Sequence, residues 1–220
     1  MKPELRDALK LYLVTDPVLH GGRGVSATCR EALIAGVRFV QLRDKNASTQ
    51  SLLNSAMELR DLCAGYSSYF VVNDRIDVAM AAGADGVHLG QSDMPLDTAR
   101  SLMGPEAIIG VSVRTVEEAQ KAFEQGANYI AANLVFPTRT KKDVKEPLGL
   151  DMVSILSEAS SLPLIAIGGI NPENTALVMN AGCAGVAVVT AVMNADSPSS
   201  AVEKFLNILN RQTNSPAVFE

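Results

Sequence analysis

The stretch Tyr69–Asp93, YFVVNDRIDVAMAAGADGVHLGQSD, decides how the chain is read. It opens on a run of β-formers that ends in Asn73 and Asp74. IDVAMAA follows as a helical segment, and Gly83 stands where a helix needs a residue in the left-handed conformation to stop. A second apolar run, Gly86–Gly90, comes within a few residues and leads again to polar groups, Gln91, Ser92 and Asp93. Two nearly continuous apolar strands separated by a helix read as a βαβ unit, its strands parallel and covered on both faces.

The same order repeats in both directions. Apolar runs bounded by turn residues recur as LYLVTD (11–16), FVQLRD (39–44), IIGVS (108–112), YIAANLVF (129–136), LPLIAIGG (162–169) and GVAVVT (185–190). Between them, Ser26–Gly36 places Ala27, Leu33 and Ile34 at helical spacing. Thr49–Ala64 does so with Leu52, Leu53, Ala56, Met57, Leu59 and Leu62, and Thr115–Gln125 with Val116, Ala119, Ala122 and Phe123. Ser48 and Thr115 are expected N-caps, the latter with Glu118 in capping-box position. Gly36, Gly126 and Gly182 close helices as Gly83 does. Eight strands alternating with about eight helices predict an α/β fold, a (β/α)8 TIM barrel, with residues 1–220 as one domain and 212–220 a fraying tail. A doubly wound open sheet is the alternative, but no G-x-G-x-x-G follows the first run.

Composition narrows the function. Apolar residues make up 47% and charged residues 20% of the 220, an ordinary globular balance. A net charge of −5 offers no general basic field for nucleic acid, so an anionic ligand needs a local cationic site or a metal. No apolar run approaches the roughly 20 residues of a membrane span. The charged opening MKPELRDALK lacks the apolar stretch of a signal peptide. Cys29, Cys63 and Cys183 are odd in number and in no metal spacing; they read as buried free thiols in a reducing cytoplasm.

In a barrel of this class the active site lies at the C-terminal ends of the strands. The residues there are Thr15-Asp16, Arg43-Asp44-Lys45, Asn73-Asp74-Arg75, Gln91-Ser92-Asp93, Ser112, Thr138-Arg139-Thr140-Lys141, Gly168-Gly169 and Val189-Thr190. Singly, many have plain structural readings. Asp16 suits a turn before Pro17, Asn73 and Asp74 suit caps for the next helix, and Asp93 suits a cap near Pro95. Together, carboxylates and cations on one rim point to a site. Asp74 and Asp93 are hard oxygen donors without His or Cys beside them, which suits Mg²⁺. They also fit an acid/base pair, although cations on the same rim would keep both ionised. His88 reads as a packed or hydrogen-bonded residue. Arg43, Lys45 and Lys141 suit phosphate oxygens. Gly168-Gly169 and Val189-Thr190 follow the seventh and eighth runs, where backbone N–H groups in such barrels often hold a phosphate. The rim thus shows two anion sites, one metal-assisted and one built from backbone.

These residues carry a resemblance. YLVTD, QLRDK, VVNDRIDVAMAAGADGVHLGQSD, IGVSVRTVEEA, VFPTRTKKD and AIGGI, spread from Leu11 to Val192, together resemble the thiamine-phosphate synthase family. The resemblance implies a Mg²⁺-dependent transferase of thiamine biosynthesis acting on two small phosphorylated substrates. One is 4-amino-2-methyl-5-(diphosphooxymethyl)pyrimidine and the other is 4-methyl-5-(2-phosphooxyethyl)thiazole; the products are thiamine phosphate and diphosphate. It gives the pyrimidine diphosphate to Gln41, Leu42, Arg43, Asp44, Lys45, Asn73, Ser112 and Lys141, with Arg43, Ser112 and Lys141 as catalytic groups. It gives Mg²⁺ to Asp74 and Asp93. The thiazole phosphate falls to Thr138, Arg139, Thr140, Gly169, Val189 and Thr190. It also implies that the pyrimidine–oxygen bond breaks first, leaving a pyrimidine methyl cation for the thiazole nitrogen to capture.

Two departures stand out. Asn133-Leu134 occupies the place of the family's usual Gly-Pro, which bears on the shape of the thiazole side. Thr190 stands where serine is common and keeps a hydroxyl. A thiazole tautomerase of the related paralogous group and a non-catalytic thiamine-phosphate-binding barrel are the alternatives. The full set of Lys45, Asn73, Asp74, Asp93 and Lys141 favours the synthase. Neither nucleic acid nor a membrane is expected as a partner, and a homo-oligomer is compatible with the sequence.

Overall fold

Every apolar run becomes a strand in the computed structural model, which describes residues 1–138 and 146–213, with backbone alone for Gln212 and Thr213. The strands are β1 (Leu11–Val14), β2 (Phe39–Leu42), β3 (Tyr69–Asn73), β4 (Gly86–Leu89), β5 (Ile108–Val113), β6 (Tyr129–Asn133), β7 (Leu164–Ile167) and β8 (Gly185–Val188). All neighbours pair in parallel, in chain order, and β8 returns to β1, so the barrel is closed. The open-sheet alternative is thereby excluded.

The described helices form the outer layer. In order they are α1 (Leu5–Ala8), α2 (Val25–Ile34), α3 (Thr49–Gly65), α4 (Ile76–Ala82), α5 (Leu96–Met103) and α6 (Val116–Glu124). After them come α7 (Gly149–Ala159), α8 (Pro172–Asn180), α9 (Thr190–Met193) and α10 (Pro198–Thr213). Of the expected tail, Gln212 and Thr213 belong to α10, and 214–220 lie outside the described residues.

Local chemistry explains the boundaries. Ser48 Oγ accepts from Ser51 N at 3.2 Å and Thr115 Oγ1 from Glu118 N at 3.2 Å, capping α3 and α6. Glu118 reaches back one residue further than a standard capping box, accepting from Arg114 N at 2.6 Å. The four helix-closing glycines all have positive φ, from 67° at Gly83 to 117° at Gly36. Three expected helix faces need correction, that of α3 because Met57 is exposed. Ala27 and Ile34 of α2 are exposed, and the buried face is Thr28, Cys29, Ala32 and Leu33; Phe123 of α6 is also exposed, leaving Ala119 and Ala122 to pack. Apolar residues at the edge of a helical stripe need not reach the core.

Alternation along the strands divides the apolar residues into two clusters. Leu11, Leu13, Val40, Leu42 and Val72 pack outward among the helices. Tyr12, Val14, Phe39, Val71, Tyr129 and Ile165 fill the barrel, with Ala8 and Leu9 closing its N-terminal end. The interior rings are in contact: Tyr12 lies 4.5 Å from Phe39 between centroids, and Tyr129 meets Phe39 edge-on at 5.6 Å. Gly110 makes room for this, since a Cβ there would lie 2.0 Å from Cζ of Tyr129. The three cysteines are buried and free, and burial pushes the Cys63 and Cys183 thiols up to about 12.

Candidate active site

The C-terminal strand ends open into two adjoining cavities of about 340 and 390 Å³. Arg43, Asn73, His88, Ser112, Asn133 and Leu134 line both, so the two volumes form one rim pocket with two ends.

The carboxylate end of the pocket is built by the ends of β2, β3 and β4. Thr15, almost fully buried, accepts from Arg43 N at 2.9 Å through Oγ1 and ties the ends of β1 and β2 together. Asp74 adopts φ 62°, unusual outside glycine, with its own N–H bonded to His88 O at 2.9 Å. It does not cap α4; neither does Asp93 cap α5. Asp93 Oδ2 instead accepts from Gly90 N at 2.6 Å, which pins the loop after β4. The two carboxyl groups meet within hydrogen-bonding contact, and Lys45 Nζ lies 3.2 Å from Asp74 Oδ2. Burial, and then the Asp93 carboxyl, raise the Asp74 pKa, with Lys45 opposing. Lys45 thus does not offset the burial of Asp74, whose carboxyl stays ionised less readily than the sequence suggests.

A divalent cation fits this pair. Two close carboxylate oxygen donors, one of them the Asp74 carboxyl with its raised pKa, provide the local negative charge it would relieve. Among the described residues no three His, Cys, Asp or Glu side chains gather as a metal cluster.

The other end of the pocket is set by β7 and β8. Gly168 and Gly169 have φ 100° and 65°, and each lies against the strand-six loop. A Cβ on Gly168 would sit 2.1 Å from Leu134 Cδ1, and one on Gly169 would sit 2.6 Å from Pro137 O. Asn171 begins α8 with a reciprocal box: its side chain accepts from Asn174 N and its N–H donates to Asn174 Oδ1, both at 2.9 Å. Asn174 Nδ2 also holds Gly169 O at 2.9 Å. Thr138, Gly169, Val189 and Thr190 all line this end. Leu134, one half of the Asn133-Leu134 departure, is buried where the cavities meet and lines both.

Not every expected residue arrives in the pocket. Leu42 packs outward among the helices, and Asp44 accepts from Asn46 N and Ala47 N at 3.0 and 3.1 Å, shaping the loop before α3. Neither side chain lines a cavity. Strand alternation explains Leu42, and the turn explains Asp44. Arg139, Thr140 and Lys141 lie outside the described residues. Asp16 forms the expected turn, accepting from Val18 N and Leu19 N. Arg75 pairs with Asp77, its Nε 2.8 Å from Oδ1, and takes no part in the pocket.

Two groups of residues went unnoticed in the sequence. Arg114 braces the rim, donating to Asn133 O at 2.7 Å and Glu146 O at 2.6 Å. Tyr12 and Tyr129 connect with Gln41 and His88 beneath the pocket floor. Burial raises the pKa of both phenols, so both remain neutral hydroxyls. Strand alternation placed all four inside the barrel; the link between them needed the closed topology.

A closed parallel barrel with a two-ended, anion-suited pocket at its strand ends defines an enzyme barrel for phosphorylated small molecules. The family model for thiamine monophosphate synthase matches residues 11–192, and the chain belongs to that family. A thiamine-phosphate synthase from Clostridium novyi is 42% identical over 199 residues, covering 90% of this chain and 98% of that protein. One from Chloroflexus aurantiacus is 45% identical over 195 residues, covering 89% and 90%. The solved thiamine phosphate pyrophosphorylase from Pyrococcus furiosus superposes with a TM-score of 0.86 at 40% identity, covering 95% of this chain and 99% of that one.

Proposed function

We propose that this chain joins the two phosphorylated halves of thiamine, using the two ends of its rim pocket for the two substrates. As a thiamine-phosphate synthase by family it is a transferase of thiamine biosynthesis. The observation that carries the assignment of ends is the division of one pocket into a carboxylate-and-cation end and a glycine-backed end, with Arg43, Asn73 and Ser112 between them.

The pyrimidine diphosphate belongs at the first end. Asp74 and Asp93 would hold Mg²⁺, which when bound supplies positive charge against the diphosphate oxygens. Arg43 and Lys45 offer cationic donors there, and the resemblance adds Lys141, which lies outside the described residues. The Ser112 hydroxyl is a positioning donor and not a nucleophile. As the methylene carbon–oxygen bond of the pyrimidine breaks, the electron pair leaves with the diphosphate, and these donors stabilise the growing negative charge. The thiazole phosphate belongs at the second end, against the backbone of Gly169, Val189 and Thr190, with Thr138 across from it. Held there, its ring nitrogen forms the new carbon–nitrogen bond. Water must be kept from the cation meanwhile, and buried Leu134, Ile170 and Val188 give that end an apolar lining.

The barrel acts as a single domain, and its three buried free thiols suit the reducing cytoplasm. Among the described residues no helix is long and apolar enough to cross a membrane. The test is to mix both phosphorylated halves with enzyme and Mg²⁺ and to follow thiamine phosphate and diphosphate. Equal formation of both, abolished by a chelator and restored by Mg²⁺, is expected; no product at high enzyme concentration overturns the reading.

A further inference from the structure

Five polar side chains from five strands run end to end through the barrel. Gln41 Nε2 donates to Tyr12 Oη. Tyr12 Oη lies 3.0 Å from Tyr129 Oη, Tyr129 Oη lies 3.0 Å from His88 Nδ1, and His88 Nε2 lies 2.9 Å from Ser112 Oγ. Only the two ends and His88 touch the pocket; Tyr12 and Tyr129 are 1% and 0% exposed and line neither cavity.

The direction of this chain follows from proton counting. An amide nitrogen donates and cannot accept, so Tyr12 receives a hydrogen from Gln41. The single phenol hydrogen of Tyr12 is then directed to Tyr129, and that of Tyr129 to His88 Nδ1. A neutral imidazole that accepts at Nδ1 has its hydrogen on Nε2. That N–H donates to Ser112 Oγ. Ser112, accepting on its inner side, has its own hydrogen free to point into the pocket. Turning the Gln41 amide over would reverse every link and leave Ser112 donating inward. The serine is also fixed from the loop side, where Gln91 Nε2 donates to Ser112 O at 2.7 Å.

We propose that Gln41, Tyr12, Tyr129 and His88 form a one-way hydrogen-bond chain that fixes His88 as its Nε2–H tautomer and presents the Ser112 hydroxyl to the pocket as a donor. Tyr12 and Tyr129 are thereby positioning residues for the step in which negative charge builds on the departing diphosphate. This use rests on the synthase reading; the sense of the chain does not. A donor aimed in advance at developing charge needs no reorganisation during the step, which is where such groups have their effect.

The test reads the imidazole directly. The chain has two histidines, so ¹⁵N spectra of the whole protein, with a His20→Gln variant for assignment, resolve His88. At a pH where both rings are neutral, His88 is expected with hydrogen on Nε2 and an Nδ1 shift typical of a hydrogen-bond acceptor. In Tyr129→Phe the Nδ1 shift should move to the unbonded position. Its kcat should fall about tenfold, less than the roughly 10²–10³ seen on deleting a direct donor, with either KM changed less than about twofold. Tyr12→Phe, which leaves Tyr129 in place, should give a mixture of tautomers and covers the case in which Tyr129→Phe does not fold. Tyr69→Phe, whose hydroxyl binds Pro3 O at the other end of the barrel, should change neither readout. Hydrogen on Nδ1 in the wild type, or an unchanged spectrum and kcat in both chain variants, overturns the proposal. Absence of product in every variant and the wild type would refute the synthase reading instead, and the spectra would still decide the direction of the chain.

Discussion

Gly169→Ala measures how tightly the thiazole end is built. Gly169 has φ 65°, and a Cβ there would lie 2.6 Å from Pro137 O and 2.8 Å from Phe136 Cβ. The left-handed conformation costs an alanine roughly 1–2 kcal/mol. Crowding of a packed site adds roughly 1–3 kcal/mol. Gly83→Ala isolates the first cost, since φ is 67° and the nearest atom to its Cβ would be the end of the Arg60 side chain at 3.6 Å. The two variants should therefore differ by the crowding alone, roughly 1–3 kcal/mol. For a chain of this size each kcal/mol lowers Tm by about 2–4 °C. Calorimetry on both variants reads that difference. Steady-state kinetics should show the KM for the thiazole phosphate raised in Gly169→Ala and the KM for the pyrimidine substrate little changed. Equal Tm losses in the two variants, or a selective rise in the pyrimidine KM, would refute the reasoning about this loop.

Further outcomes follow from the same geometry. Asp74→Ala or Asp93→Ala should sharply lower turnover and raise the Mg²⁺ requirement; full activity of both at limiting Mg²⁺ would count against the metal pair. Arg75→Ala should leave activity unchanged and cost no more than about 1 kcal/mol, as its ion pair with Asp77 is exposed; urea titration and the synthesis assay check this. Cys63 and Cys183 carry pKa values raised from 9.0 to about 12 in the folded chain. Their stabilising contribution is complete below pH 9 and is lost as pH rises toward 12, because the unfolded thiols release protons first. Denaturation midpoints should fall across that window, and thiolate absorbance rising near pH 9 in the folded protein would contradict it.

The barrel was legible because a parallel strand covered on both faces must be apolar along its whole length, and turn residues bound each run. LYLV, FVQL and GVAV could hardly have been anything else in this pattern. Helix faces were less legible: Ile34 and Phe123 have the right spacing but sit at the solvent edge of their stripes. The rim was legible as polar residues after apolar runs, which is how Asp74, Asp93, Arg43 and Ser112 were found. Asp44 has the same signature and a different task, because a carboxylate followed by Asn46 and Ala47 can bind its own loop. Chemistry spread over distant strands left no local pattern. Tyr12 and Tyr129 are 117 positions apart, each looking like one more aromatic in a strand, until closure of the barrel sets their hydroxyls 3.0 Å apart.

Simultaneous occupancy of the two ends is the most direct measurement of the account. Calorimetric titration with Mg²⁺ and inorganic diphosphate, alone and with the thiazole phosphate already bound, should give one site for each ligand and both ligands bound together. Mutual exclusion of the two would contradict the two-ended pocket and the joining reaction built on it.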